Sequence, residues 1–377
     1  MFSRRLAWTQ DTNPLTRLLE KKRANGTPVL DLTESNPTRA GIVYPQERIL
    51  AALADPRSLQ YDPKPAGLSE AREAISDYYA GRIPAEQILL TASTSEAYAY
   101  LFKLLADPGD EVLVPRPSYP LFEFLASLES VNVVPYRLEY DHGWFIDLPY
   151  LRSRITPRSR AVILVNPNNP TGSFLKRREL EQLHEICAEH NLALISDEVF
   201  ADYPLREDEE RVKCVAQDSE TLAFSLSGLS KVAALPQMKL GWIAAGGPGH
   251  QQALQGLELI ADTYLSVSTP VQYAAARLLA VRQDVQAQSC ARIRANFSVL
   301  PGNALDVEGG WYAIIRMPRT RNEEEWVLHL LSEHNVLVQP GYFFDFESEA
   351  FLVVSLLTPE SILREGISRI ISRIMSV

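Results

Sequence analysis

The sequence predicts an α/β protein with a mostly parallel sheet flanked by helices, followed by a smaller α+β domain. The runs 160–165 and 192–196 are short and, apart from the terminal residues Arg160 and Ser196, apolar, which is typical of strands buried on both faces of a parallel sheet. Between them, 178–189 has a helical pattern, and strand, helix and strand in this order form a right-handed βαβ unit. From residue 311 onward, strand-like and helix-like segments alternate, which indicates the smaller α+β domain.

The length of the chain is sufficient for two domains. Of its 377 residues, 46% are hydrophobic, enough for a large core. We place an N-terminal arm and part of the small domain at 1–36. The large domain is expected at 37–284 and the small C-terminal domain at 285–377.

Charge and cysteine content narrow the possible functions. The formal net charge of -10, without a basic stripe, argues against nucleic acid as a partner. Three widely spaced cysteines (Cys187, Cys214 and Cys290) lack metal-type spacing, which predicts reduced thiols, no metal site and a cytoplasmic protein. No apolar run reaches the ~18 residues of a membrane span. The basic start of the chain is not followed by the apolar segment of a signal peptide.

The first elements carry two candidate residues. Asn13 and Pro14 predict a capped helix with proline in its first turn. A short strand at 29–32 then leads into a turn that contains Asn36, and an ordinary turn is the simplest interpretation of that residue. Tyr61 follows in a proline-rich loop, where it has no obvious role in the core.

Hydroxyl side chains precede the helix expected at 97–105. Thr94 and Ser95 lie at its start, after the short strand 88–90. Hydroxyls and free N–H groups at the start of a helix form an anion site, for which phosphate is the usual ligand. The same residues equally form a plain helix cap, so both interpretations stay open here.

Three polar residues follow apolar strands in turn: Asn169, Asp197 and Lys231. Ligands of open α/β sheets bind at the carboxyl ends of the strands, so we expect these side chains at one edge of the sheet. A buried aspartate needs a cationic partner. A partly desolvated lysine loses its proton easily and can form a Schiff base with a carbonyl cofactor, although a lone lysine is more often a solvated surface residue.

An anion site at a helix start, together with a buried aspartate and a reactive lysine at one edge of a sheet, suits a pyridine aldehyde phosphate as cofactor. Its phosphate would lie at Thr94 and Ser95, its aldehyde would react with Lys231, and Asp197 would keep its ring nitrogen protonated. The sequence resembles the fold type I pyridoxal-phosphate enzymes, specifically the class I/II aminotransferase family. The matching motifs, in the family's order, are Tyr61 with Gly67, Pro108-Gly109-Asp110, Pro117-Ser118-Tyr119-Pro120, Asn169-Pro170-Thr171-Gly172, Asp197-Glu198-Val199 and Ser230-Lys231.

The resemblance implies a cofactor, pyridoxal 5′-phosphate, and a role for each matching residue. Lys231 would form the Schiff base and move the substrate proton, Asp197 would pair with the pyridinium, and Asn169 would bind the ring hydroxyl and contact substrate. Tyr119 would stack on the ring, and Thr94, Ser95, Ser230 and Lys239 would hold the phosphate. Tyr61 would reach the phosphate of a neighbouring subunit, which implies a homodimer. Asn36 and Arg316 are further substrate-binding candidates.

Four positions depart from the family pattern. Lys239 stands where an arginine usually binds phosphate, so the charge is kept and the bidentate fork is lost. Gly228 replaces a common serine, and Phe200 replaces a tyrosine that donates to the ring oxygen. Val353 stands at the place of the arginine that holds the substrate's α-carboxylate. Either Arg316 or Arg116 takes over that contact, or the substrate lacks a free α-carboxylate.

The resemblance favours an aminotransferase that exchanges an amino group between an amino donor and a 2-oxo acid in two half-reactions. The alternative is a lyase or another carbanion reaction on the same fold, such as β- or γ-elimination or decarboxylation. A third possibility, from another class, is a cofactor-binding protein without turnover. The sequence does not predict the substrate.

Overall fold

The computed structural model describes residues 3–6 and 12–374. Parts of the predicted N-terminal arm (1–2 and 7–11) and residues 375–377 lie outside the described residues. The α-helices are α1 Pro14–Ala24, α2 Gln46–Leu53, α3 Ser69–Tyr78, α4 Thr94–Leu105, α5 Phe122–Leu128, α6 Leu148–Arg154, α7 Arg177–His190, α8 Leu229–Val232, α9 His250–Asp262, α10 Thr269–Ala280, α11 Arg282–Phe297, α12 Glu323–His334 and α13 Glu360–Ile374. The strands are β1 Leu30–Asp31, β2 Ile88–Thr91, β3 Glu111–Arg116, β4 Asn132–Tyr140, β5 Trp144–Ile146, β6 Ser159–Val165, β7 Ala193–Asp197, β8 Ala223–Gly228, β9 Gly241–Gly246, β10 Tyr312–Arg316, β11 Val336–Leu337, β12 Gln339–Pro340 and β13 Phe351–Ser355.

The largest sheet has eight strands in the order β2-β9-β8-β7-β6-β3-β4-β5. The neighbours from β8 to β4 are parallel, whereas β9 is antiparallel to both β2 and β8, and β5 is antiparallel to β4. Strand β2 therefore runs in the same direction as β8. The prediction of a mostly parallel sheet flanked by helices is confirmed.

Both faces of this sheet are covered by helices, which explains the continuous apolar runs in its strands. Ile163 of β6 packs in a core that includes residues of α4 and α9. The next residue, Leu164, points to the opposite face and packs in a core that includes residues of α7. The predicted unit of β6, α7 and β7 is present, with Ile163 directly opposite Ile195 in a parallel pair.

The C-terminal part of the chain contains an antiparallel sheet in the order β10-β13-β12, as its alternating pattern predicts. A separate parallel pair joins β1 to β11. The Ser355 hydroxyl at the end of β13 donates to the Glu34 carbonyl at 2.7 Å. These contacts hold the segment after β1 against β13, beside the carboxyl edge of the large sheet.

Some elements differ from the sequence prediction. The sequence has a long helical pattern through 271–294, which predicts continuous helix, whereas the structure divides it between α10 and α11, which meet at Val281. The backbone of Val281 stays near helical values (φ -67, ψ -20), so the periodicity continues through the junction and hides it. Strands β7 and β8 are joined without a further α-helix between them, so the βαβ pattern of β6, α7 and β7 is not continued. Within the described residues, no helix is long and apolar enough to cross a membrane.

Candidate active site

A cavity of about 560 Å³ opens where the carboxyl ends of the parallel strands face the small antiparallel sheet. Strands β6, β7 and β8 end at Val165, Asp197 and Gly228, and the loops that follow carry side chains into this cavity. This is the edge at which open α/β sheets bind ligands. From the opposite side, Tyr312 of β10 and Gln339 of β12 complete the wall.

The structure brings most of the predicted cofactor residues together. The predicted residues that line the cavity are Thr94, Ser95, Tyr119, Asn169, Asp197, Ser230 and Lys231. They come from five separate loops or helix starts, which explains why they are far apart in the sequence. Phe200, which was predicted to replace a tyrosine of the family pattern, lines the same cavity.

Four predicted residues do not line this cavity. Tyr61 is 80% exposed and lines a separate depression of about 170 Å³. The amide oxygen of Asn36 accepts hydrogen bonds from the backbone N–H and the hydroxyl of Thr38. Ser35, the residue before Asn36, lines the cavity instead. Lys239 is exposed just before β9. Arg316 is exposed at the far end of β10, with its guanidinium 5.9 Å from the ring centre of Tyr140.

Lys231 and Asp197 form the only pair of opposite charges among the described lining residues. Burial lowers the pKa of Lys231 from 10.5 to about 8, and the charge of Asp197 opposes this shift. Burial raises the pKa of Asp197 from 3.8 to about 6, opposed by the Val199 N–H, by Lys231 and by the Tyr98 hydroxyl. Near neutral pH, Asp197 is therefore mostly ionised and an appreciable fraction of Lys231 is a neutral, nucleophilic amine.

Aromatic side chains enclose the Lys231 amine. Its nitrogen lies 5.5 Å from the ring centre of Phe200 and 4.9 Å from that of Trp311. Both rings are buried, so they exclude water from the amine and account for the desolvation. The buried Tyr203 hydroxyl donates to the Lys231 backbone carbonyl at 2.6 Å, which fixes the short helix α8 that carries the lysine.

The start of α4 has the form of an anion site. Ser93 is the cap, since its hydroxyl accepts from the Glu96 N–H at 3.2 Å, and the Glu96 carboxylate accepts from the Ala92 N–H at 2.6 Å. The role of plain cap therefore belongs to Ser93. Thr94 and Ser95 occupy the first turn, where backbone N–H groups have no partner within the helix. Their hydroxyls and N–H groups are placed to bind an anion at the positive end of the helix.

The residues of the cavity fit pyridoxal phosphate. Asn169 is buried, and its amide oxygen has no hydrogen-bond partner among the described residues, which a polar substituent on a bound ring would supply. An amine for the aldehyde, a carboxylate for the ring nitrogen and an anion site for the phosphate line the same space. Tyr119, 46% exposed at the cavity mouth, offers an aromatic face for the ring.

The geometry explains the glycine at 228. A Cβ there would lie 2.9 Å from the Leu240 carbonyl oxygen and 3.0 Å from the Gly241 Cα. Strands β8 and β9 approach so closely at this point that serine would force the backbones apart. Ser230 lines the cavity two residues further on.

Comparison with known proteins identifies the family of the chain. The sequence pattern of the family described as Aminotransferase class I and II matches residues 27–370. The chain is 29% identical to the glutamate-pyruvate aminotransferase AlaA of Escherichia coli K12, over 91% of this chain and 90% of that protein. It is 27% identical to an alanine aminotransferase of Mycobacterium tuberculosis, over 95% of this chain and 88% of that protein. The solved alanine aminotransferase of Pyrococcus furiosus superposes with a TM-score of 0.87 at 25% identity and covers both chains fully.

Fold and site together define a pyridoxal-phosphate enzyme of fold type I. The chain belongs to the aminotransferase class I and II family. It is a pyridoxal-phosphate-dependent transferase that moves an amino group between an amino acid and a 2-oxo acid. The predictions of fold, enzyme class and cofactor are thereby confirmed.

Sequence reasoning missed three polar residues of the cavity: Ser35, Tyr98 and Gln339. Tyr98 follows Thr94 by four residues, so it lies one helical turn away on the same face of α4, and that spacing could have revealed it. Gln339 has no such signal, because its position depends on the pairing of β12 with β13.

Proposed function

We propose that the amino donor is an amino acid with a neutral side chain, such as alanine. The observation that carries this proposal is the cavity wall, which is mostly apolar or aromatic and includes Leu121, Phe122 and Phe343. Lys231 and Asp197 are its only charged groups among the described lining residues. A side-chain carboxylate or ammonium would be buried there without a dedicated partner, which is costly. Two of the relatives described above are named alanine aminotransferases, which supports the same donor class.

In this proposal, Lys231 is the residue that joins the cofactor and then carries the proton lost from the donor's α-carbon. When bound, pyridoxal phosphate supplies a protonated ring that withdraws electrons from this carbon. Asp197 holds the proton on the ring nitrogen, since a buried carboxylate favours a cationic partner. Asn169 binds the ring hydroxyl and Tyr119 covers the ring face. Phe200 and Trp311 exclude water from the amine.

The phosphate is assigned to the start of α4, with Thr94, Ser95 and Ser230 as its hydrogen-bond donors. Lys239 lies just before β9, whose first residue, Gly241, pairs with Thr91. It therefore adds a positive charge at the same edge of the sheet. This contribution is electrostatic, because an ammonium lacks the bidentate geometry of a guanidinium.

We further propose a homodimer in which Tyr61 of each copy reaches the other active site. Leu59 is 91% exposed and Tyr61 is 80% exposed, and large apolar groups this exposed are typical of interaction surfaces. Light scattering should give twice the 42.2 kDa of one chain. A monomer at micromolar concentration would contradict this part. The domain boundaries at 36 and 284 and the cytoplasmic location remain part of the same proposal.

The experiment that tests the donor class is a half-reaction in the absence of any oxo acid. Cofactor-loaded protein is mixed with L-alanine, L-glutamate or L-lysine, and the visible absorbance is followed, with D-alanine as the control. L-alanine should convert the cofactor to its amine form and release pyruvate, at least ~10-fold faster than the charged donors. Faster conversion by glutamate or lysine would contradict the neutral donor. Release of ammonia in place of conversion would favour the lyase alternative.

A further inference from the structure

The small sheet places a glutamine beside Val353, the valine predicted to stand in place of the family's carboxylate-binding arginine. Ile314 of β10, Val353 of β13 and Gln339 of β12 are directly opposite one another and form one row across three strands. Directly opposed residues in antiparallel strands share a face of the sheet. Gln339 therefore stands next to Val353 on the same face.

This face is the one that meets the cavity. Along β13, Val353 packs in a small cluster with Phe344, whereas its neighbours Leu352 and Val354 belong to the main core on the other face. Phe344 lines the cavity, and so does Gln339. Val353 itself is fully buried and contributes no polar group.

The amide of Gln339 is available to a ligand. Its oxygen is buried, and none of the described residues gives that oxygen a hydrogen bond. The residues on either side, Val338 and Pro340, are buried, as the alternation of a strand requires when Gln339 points the other way, toward the cavity. An amide carries two N–H donors as well as this oxygen, and a half-turn of the amide exchanges their places, so the same position can present its donor side to a carboxylate.

Neither arginine named as a substitute lies at this place. Arg316 is four residues beyond the cavity-lining Tyr312 on β10, which at ~3.3 Å per residue is a distance of about 13 Å. Arg116 has its guanidinium Nε 3.6 Å from Asp345 and does not line the cavity. Among the described lining residues, Lys231 is the only cation, and it is assigned to the cofactor.

We propose that Gln339 is the specificity-determining residue that holds the carboxylate of the substrate, by hydrogen bonds from its neutral amide. Tyr312 and Ser35 line the same cavity and interact with each other through their hydroxyls, so they add neutral polar groups to it. The inference deepens the proposed function and rests on it. A neutral donor binds a carboxylate less strongly than a bidentate guanidinium does. The enzyme therefore discriminates weakly between an amino acid and its carboxamide.

The test uses Gln339→Leu and Gln339→Glu, with Gln251→Leu on the exposed surface of α9 as the matched control. Each variant is loaded with cofactor, and binding of propanoate is measured by NMR titration, which requires no turnover. Gln339→Leu should weaken propanoate binding about 10-fold, and Gln339→Glu should weaken it further by charge repulsion. Gln251→Leu should bind propanoate as the unaltered protein does.

Kinetics add a measurement that general damage to the fold does not reproduce. Gln339→Leu should raise the KM for alanine about 10-fold while kcat changes less than about 3-fold, and its preference for alanine over alaninamide should disappear. Normal propanoate binding in both Gln339 variants would overturn the proposal, as would an unchanged preference for alanine. If the unaltered protein fails to transaminate alanine, the proposed function fails instead, and propanoate binding still reports on Gln339.

Discussion

The two walls of the active-site cavity differ in how they use charge. The wall formed by the large sheet contains Lys231 and Asp197, each with a pKa moved by burial, and is called the charged wall. The wall formed by the small sheet presents Tyr312 and Gln339 and, among the described lining residues, no charged group, and is called the neutral wall. Both walls are built from apolar strands, so the contrast comes from a few positions at the strand ends.

This difference separates the residues proposed for catalysis from the residues proposed for substrate binding. The charged wall carries most of the predicted cofactor residues, with Phe200 as a departure from the family pattern, and one cofactor imposes the same chemical demands on every member. Next to Gln339 on the neutral wall, Val353 stands where the family pattern predicts an arginine, and we propose that this wall meets the substrate carboxylate. We therefore propose that the wall of the large sheet carries the chemistry and that the opposite wall binds the substrate carboxylate.

The largest effect is expected from removing the amine of the charged wall. Lys231→Ala should lower kcat/KM by about 10³-fold or more, since the residue supplies both the nucleophile and the proton carrier. Steady-state kinetics with alanine and a 2-oxo acid measures this. Circular dichroism and thermal unfolding serve as controls for the fold. Residual activity above a tenth of normal would contradict the assignment.

The next effect is the shift in proton affinity of the same amine. In the protein without cofactor, Lys231 should lose its proton with a pKa of about 8 instead of 10.5. Its reactivity toward a trace of acetic anhydride, read by peptide mass spectrometry, should therefore reach half of its maximum near pH 8, with N-acetyl-lysine as the reference amine. The pKa of Lys231 is lower in the folded protein than in the unfolded one, so the unfolded protein holds this proton more tightly. The protein should therefore become more stable, with a larger free energy of unfolding, as pH rises from about 8 to 10.5. A half-maximum near 10.5 would show that the amine is solvated.

Changing the aspartate should have a smaller effect than removing the lysine. Asp197→Asn retains the shape but cannot hold a proton on a ring nitrogen as a carboxylate does. We expect kcat/KM to fall about 10²-fold, within the range found for single electrostatic contacts in active sites. Glutamate at this position keeps the charge, so Asp197→Glu should retain more activity than Asp197→Asn. Equal losses in both variants would indicate that shape matters more than charge.

The smallest effect is expected from a substitution on the neutral wall, and it is an increase in affinity for the substrate. Val353→Arg places a guanidinium in the row occupied by Ile314 and Gln339. The KM for alanine should fall about 10-fold, and alanine should gain the same advantage over alaninamide. Val354→Arg, on the opposite face of β13, is the control for inserting a charge into this strand, and it should lower stability without improving KM. No gain from Val353→Arg in a folded protein would mean that the row does not face the substrate carboxylate.

The sequence predicted the charged wall better than the neutral one, for a physical reason. Asn169, Asp197 and Lys231 lie within a few residues of the ends of apolar runs, so their position at the sheet edge depends mainly on local patterns and on the parallel arrangement. The place of Gln339 depends on which residue of β13 lies opposite it, and that register is a long-range property. Arg316 was predicted for the substrate, whereas the structure leaves it exposed at the far end of β10.

The most direct test of the whole account is to find which lysine carries the cofactor. Protein loaded with pyridoxal phosphate is reduced with borohydride, digested and analysed by mass spectrometry. The account predicts the phosphopyridoxyl group on the peptide that contains Lys231. The same group on Lys239 or another lysine would contradict it.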